Sequence, residues 1–378
     1  MRNLPLNLFD EEKRLIWRLR THGPQSRSDL AMALQVSNAA ITKLSRSLMS
    51  LSLIQELDPE EARGRGRPTV PLTVAPTGGY SLGVTMHTGT IELALVNYAG
   101  GTICHTVERV ESINPHDFAR FIERRLHELA VDHRLLGSRL LGVGMSVPGP
   151  ALSKDGNRWN VVDTLPGWRN VPLKDIMTEG LNLPVWLEND ATASALAEYY
   201  LGGLIECCSS AVLILLGHGV GAGVISDRRL LRGEVGGAGE IGMLYPKGPA
   251  GRPTTVDLIA TLQAAGCSVS SLADFEGSIA GFESVIECWL DRAAAQLAVA
   301  VNSAIAWFDP GAIRLASPLP SFIMQKLADR LNAGPIVLGD HHDDREIAIP
   351  PIDVSMLGGA SSALGAALLP IHASILRN

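Results

Sequence analysis

What the chain has little of narrows its class before any motif is considered. It carries five cysteines (Cys104, Cys207, Cys208, Cys267 and Cys288), an odd number with no CxxC spacing. That pattern predicts neither a disulfide framework nor a zinc ribbon, and a reducing cytoplasm is the default compartment. Long apolar runs are missing as well. Residues 1–8 have no sustained apolar core, so no signal peptide is expected. The longest apolar stretch, Ala211 to Ile225, is studded with glycine and broken by His218, and reads as a buried hairpin, not a membrane span. No Gly-Lys-Ser/Thr occurs, which excludes a Walker-type phosphate loop. His341 and His342 precede Asp343 and Asp344, but nothing nearby completes a ligand set, so this reads as a solvated loop.

What is present is enough chain for two or three domains: 378 residues, 46% hydrophobic, with 38 glycines, the composition of a soluble α/β protein. The net charge of −7 hides an asymmetry, since residues 13–55 hold seven Lys or Arg against one acid, Asp29, a local +6. A basic module on an acidic body points to a polyanionic partner for the small part only.

That basic part has helical periodicity. Asp10 to Arg20 places Leu15, Ile16 and Leu19 on one face and stops at His22-Gly23-Pro24. Ser26 to Asp29 has capping-box spacing and opens a second helix through Leu34. Ser37 caps a third, with Ile41, Leu44 and Leu48 inward and Asn38, Ala39, Thr42, Lys43, Ser45 and Arg46 outward. Amides, hydroxyls and bases on one helix suit base edges and phosphates. Two strands, Leu53 to Leu57 and Thr69 to Val74, flank a tip with Arg63, Arg65 and Arg67, which suits phosphates or a narrow minor groove. The pattern predicts a helix-turn-helix with a wing over residues 1–76, reading double-stranded DNA through Ser37, Asn38, Ala39, Thr42, Lys43, Arg46 and the three arginines.

From Gly79 the period changes to strands. Tyr80 to Thr85, Ile91 to Asn97 and Thr102 to Val107 form a meander, followed by a helix from Pro115 to Asp132 and a buried strand from Leu140 to Ser146. Ala211 to Leu216, Gly221 to Ser226 and Leu230 to Arg232 repeat the meander, followed by a long helix over Phe282 to Phe308. Two similar halves imply an internal duplication. Between them, Pro184-Val185-Trp186-Leu187-Glu188-Asn189-Asp190-Ala191 delivers an acid-amide-acid cluster from an apolar strand end to an alanine-rich helix. Such groups exchange hydrogen bonds with neighbouring hydroxyls, and the Asp190 carboxylate could act as a base; a helix cap explains Asp190 equally well.

Taken with Met145-Ser146-Val147-Pro148-Gly149-Pro150, Leu165-Pro166-Gly167-Trp168, Gly217 to Gly223 and Gly236 to Gly242, in that order, the cluster resembles the ROK family of bacterial sugar kinases and sugar-responsive repressors. The resemblance implies an actin-like, ribonuclease H-like α/β fold with a ligand cleft between two lobes, at residues 77–190 plus 350–378 and 191–349. It also implies sugar contacts at Pro148, Gly149, Trp168, Asn189, Asp190 and Glu240. A homodimer or dimer of dimers is expected because one helix-turn-helix rarely supplies enough affinity and a palindromic operator needs two.

Two family features are missing. Kinases of this fold open their first hairpin with an aspartate that manages magnesium, where this chain has Thr85, and with a glycine where it has His87. Both changes oppose phosphoryl transfer. Family members also follow the glutamate turn with a histidine and a CxCGxxGC zinc cluster; here Met243 and a cysteine-free stretch through Asp257 stand instead. No metal and no cofactor are therefore expected, and Asp190 would be a vestigial base. The expectation is a cytoplasmic DNA-binding regulator of carbohydrate genes, a repressor, whose degenerate kinase body senses a sugar or sugar derivative and is not an enzyme. Signalling would pass through a linker near Pro68 to Gly78. Two alternatives remain open: an active ATP-dependent sugar kinase with an appended DNA module, and a DNA-binding protein without a ligand.

Overall fold

The structure, a computed structural model, describes residues 2–3, 6–57, 70–87, 89–111, 113–246, 251–334 and 349–375. The chain divides into two compact units, residues 1–189 with 363–378, and residues 190–362.

The first unit opens with β1 (Arg2–Asn3) and three helices, α1 (Asp10–His22), α2 (Arg27–Leu34) and α3 (Asn38–Ser50). Ser26 and Ser37 cap the second and third as their spacing predicted, each side chain accepting a backbone N–H three residues on. The buried Glu12 carboxylate accepts the Phe9 N–H at 3.1 Å and the Ser47 hydroxyl at 2.7 Å, tying α1 to α3. An antiparallel pair follows, β2 (Ile54–Glu56) and β3 (Leu72–Val74), with Ile54 opposite Val74. Arg63, Arg65 and Arg67 lie outside the described residues, as do His341 and His342.

The main sheet of this unit is built from β4 (Tyr80–His87), β5 (Thr90–Asn97), β6 (Thr102–Arg109), β7 (Arg139–Val147) and β8 (Val185–Asn189), with helices α4 (Pro115–Asp132) and α5 (Leu173–Leu181) between strands. β4, β5 and β6 are an antiparallel meander, β7 runs parallel to β4, and β1 and β8 both pair with β7 in parallel. Phe118, Ile122, Leu126 and Met177 from the helices join Leu82 and Val84 from the sheet in one buried core.

The second unit repeats this topology. It comprises α6 (Asp190–Leu201), α7 (Leu204–Cys207), β9 (Ala211–Leu216), β10 (Val220–Ser226), β11 (Arg229–Leu231), α8 (Thr255–Ala264), α9 (Phe275–Ser278), α10 (Glu283–Phe308), β12 (Ala312–Ala316), α11 (Ser321–Ala333) and β13 (Ile352–Val354). The meander β9 to β11 is continued by β12, parallel to β9, and β13, parallel to β12. The chain returns to the first unit within α12 (Ser361–Ile375). The expected return at residue 350 therefore falls too early, because Ile352 to Val354 is a strand of the second sheet.

The final helix lies on the first sheet at backbone distance. A Cβ on Gly83 would sit 2.0 Å from the Ala363 carbonyl oxygen, and one on Gly144 only 1.8 Å from that of Ala366. Pro370 deprives Ala366 of its helical N–H partner, and glycine lets the strand close over that carbonyl. The segment expected to be a linker is also packed at its end. Pro76–Gly78 is a 3-10 turn, Gly78 presses on the Tyr98 ring, and Arg139 donates to the Gly78 and Leu51 carbonyls at 2.7 and 3.0 Å.

Candidate functional site

β8 runs directly into α6, and the change of unit falls between Asn189 and Asp190. A strand that ends where a helix begins presents its last residues at the helix N-terminus, where the peptide dipoles favour a negative or hydroxyl-bearing group. In the first unit, Asn189 is 8% exposed and its amide donates to the Gly149 carbonyl at 3.2 Å. Gly149 has φ +129°, and a Cβ there would lie 2.2 Å from the Asn160 oxygen, so only glycine fits between Pro148 and Pro150. Glu188, the first acid of the cluster, is buried and accepts the Asn189 backbone N–H at 3.1 Å. Trp168 does not stand where a sugar could stack. It is 1% exposed, donates its indole N–H to the Ile113 carbonyl at 2.8 Å, and meets Phe118 edge-on at 4.9 Å. Its role is to fix the loop from the core side, a correction to the expected ligand contact.

In the second unit the glycine motifs position carboxylates. Gly221 and Gly223 let α6 settle on β10: a Cβ on Gly223 would meet the Ala191 oxygen and the Ala195 Cβ, each at 2.5 Å. Gly239, at φ +87°, accepts the Ala222 N–H at 2.8 Å, and a Cβ there would be 1.9 Å from the Ala222 oxygen. The 236–242 turn is thereby clipped to the strand under α6, and Glu240 comes within electrostatic reach of Asp190. Burial first, and the Asp190 charge second, push the Glu240 carboxyl above its ordinary value. Asp190 accepts the Ala191 N–H at 2.9 Å as the first residue of α6. Two carboxylates of which one resists ionisation can accept and donate to vicinal hydroxyls together.

Thr85 is fully buried, and its hydroxyl lies 3.2 Å from that of Ser146. His87 ends β4 with its ring 3.8 Å from the Glu92 carboxylate.

The zinc that the family resemblance implies does not suit the donors present. Met243 is a thioether, 82% exposed. The groups after it are already hydrogen-bonded to protein: the Tyr245 hydroxyl to the Gln296 carbonyl at 3.3 Å, the Arg252 guanidinium to the Pro246 carbonyl at 2.6 Å, and the Thr255 hydroxyl to the Gly217 carbonyl at 2.9 Å. No cysteine or histidine lies between Met243 and Asp257 in the sequence.

On α3, Ser37, Asn38, Ala39, Lys43 and Arg46 are exposed and Thr42 half-buried. Thr42 turns its hydroxyl hydrogen back onto the Asn38 carbonyl at 2.8 Å. Ser45, expected to face outward, is buried and bonded to the Thr42 carbonyl at 3.2 Å, since it sits one turn from Ile41 and Leu48 on the inner side.

Comparison with known proteins follows the same lines. The chain is 30% identical to the DNA-binding transcriptional repressor Mlc of Escherichia coli over 226 residues, which are 58% of this chain and 54% of Mlc, little more than half of that relative. It is 31% identical to a glucokinase of Halalkalibacterium halodurans over 68% of this chain and 79% of the enzyme. A crystal structure of a ROK family transcriptional regulator, a homologue of the E. coli Mlc protein, superposes with a TM-score of 0.67 at 23% identity, covering 97% of this chain and 96% of that one. Residues 81–319 match the ROK family, and the chain belongs to it.

Proposed function

We propose that this ROK protein is a DNA-binding transcriptional regulator, a repressor, whose body senses a sugar or sugar derivative. The observation that carries the reading is the exposed face of α3, with Asn38, Lys43 and Arg46 outward on a basic three-helix module ahead of the ROK region. With β2 and β3 that module is read as a winged helix-turn-helix. A dimer on a palindromic operator in the cytoplasm goes with this reading. The residues proposed to contact the effector are Asn189 in the first unit, with Pro148 and Gly149 shaping the turn behind its amide, and Asp190 and Glu240 in the second.

The test is anisotropy of the full chain with duplexes from its own upstream region, across salt, with and without D-glucose and D-xylose. Salt-dependent binding that one sugar shifts supports the reading; no salt-dependent duplex binding overturns it. Asp190→Asn should weaken sugar binding roughly ten- to hundredfold while operator affinity is kept, because a charge-assisted hydrogen bond to a hydroxyl is worth about 1.5 to 3 kcal/mol.

A second reading, an active sugar kinase, draws on the glucokinase relative and on the retained Asp190. Thr85 weighs against it, as a hydroxyl paired with Ser146 cannot bring the charge that magnesium needs. ATP-coupled turnover at about 1 per second or faster would decide for the kinase.

A further inference from the structure

We propose that a buried hydrogen-bonded network centred on the Asp257 carboxylate replaces the zinc of the family, making Asp257 a positioning residue for the turn that carries Glu240. Asp257 is 3% exposed at the first turn of α8. Its Oδ1 accepts the Gly251 N–H at 2.9 Å, and its Oδ2 accepts the Trp289 indole N–H at 2.8 Å and the Arg292 guanidinium at 2.5 Å, both from α10. Both oxygens are therefore engaged, and a half-exposed arginine balances the charge. This is the arrangement under which a buried carboxylate is tolerated.

The network reaches Glu240 through the chain. The Gly251 carbonyl accepts the Gln296 amide at 2.5 Å, and the next residue, Arg252, reaches back to the Pro246 carbonyl. Buried Tyr245, the residue after the 3-10 turn Ile241–Leu244, donates to the Gln296 carbonyl. Gln296 thus grips both ends of the return, and Asp257 anchors its far end to two turns of α10. On the near side Glu240 is held by the Gly239 clip to Ala222. A metal cluster would bring such a return together through four ligands; here one carboxylate, an indole, a guanidinium and an amide perform the same closure with directional hydrogen bonds. The available sequence signal is small: Thr254 and Asp257 have N-cap spacing, and Thr254 does accept the Asp257 N–H at 3.2 Å.

The test uses the full-length protein as purified, with zinc analysis, hydrogen exchange and thermal unfolding before and after a strong chelator. The expected result is exchange in residues 240–257 that the chelator leaves unchanged but Asp257→Asn raises by about tenfold or more, while strand 211–216 keeps its protection. One zinc per chain whose removal loosens 240–257 would overturn the proposal, as would an Asp257→Asn protein with unaltered exchange. Should Asp257→Asn fail to fold, Trp289→Phe removes the indole donor while leaving a smaller aromatic ring in place, with a several-fold increase expected in the same peptides and no change overturning the idea. A double-mutant comparison separates positioning from general support. The neutral-pH stability difference between wild type and Glu240→Gln should shrink in the Asp257→Asn background, because a loosened turn returns Glu240 to water; an undiminished difference would mean that Asp257 does not position Glu240. The inference bears on sensing only through the effector reading above, and none of these arms uses a ligand.

Discussion

Burial makes Glu240 costly to ionise, and the like charge of Asp190 adds to that cost. A carboxyl raised in the folded state binds more protons there than in the unfolded chain, so stability is full below the unfolded value and is lost as pH rises through the folded one. Glu198 has the same direction from burial, partly opposed by the Ser355 hydroxyl that donates to it. Glu240→Gln is therefore expected to raise the melting temperature near neutral pH, with the advantage vanishing toward about pH 4, where an ordinary carboxyl is itself protonated. Thermal unfolding across that range checks it. A variant that is less stable at neutral pH would show that the carboxylate is held by partners stronger than its burial. On the proposed effector reading, the gain would come with loss of effector binding, the usual exchange between stability and a functional site.

At the scale of elements, two contacts are open to direct test. The third helix separates an exposed face from a packing face at Ser45, which lies buried between Ile41 and Leu48. Lys43→Ala and Arg46→Ala are expected to weaken duplex binding and flatten its salt dependence without moving the melting temperature, as phosphate contacts do. Ser45→Arg should instead destabilise the module, which circular dichroism on heating would report. The second contact is that of α12 with the first sheet. Gly144→Ala drives a methyl into the Ala366 carbonyl with no flexible neighbour to yield, and a loss of about 3 kcal/mol or more is expected in denaturant unfolding. A loss under about 1 kcal/mol would mean that the helix can move away from the strand.

For the whole molecule, the N-terminal helices are part of the first unit, not a tethered module. Arg20 donates to the Tyr98 and Ala99 carbonyls and lies over the Tyr98 ring at 5.0 Å, while Arg139 bridges Leu51 and Gly78. β1 pairs with β7, and Trp17 of α1 lies 6.1 Å from the ring of His372 in α12. Arg139→Met is expected to cost about 1 to 3 kcal/mol through the carbonyls it leaves without a donor. Hydrogen exchange should then show α1 to α3 opening ahead of β4. Equal exchange in both would mean that the module is held by its apolar contacts alone.

The elements were legible in the sequence because they follow from local chemistry. Period, caps and turns place the helix Pro115–Asp132 and the strand Ala211–Leu216 to the residue, and the repeated meander announced two sheets of one topology. The ordered glycine and acid motifs sufficed for the family. What the sequence could not decide depends on which residues meet across long separations. Trp168 reads as a ligand contact until the Phe118 ring and the Ile113 carbonyl, 50 and 55 positions away, are seen to occupy it. The stretch before Gly78 reads as a linker because its anchor, Arg139, lies 61 residues on. Nothing local to Asp257 beyond its N-cap spacing from Thr254 marks it, and only the packing of α10 brings Trp289 and Arg292 to it. Local propensity determines what each segment is; the tertiary structure decides which polar groups are consumed by neighbours, and so which remain for a ligand.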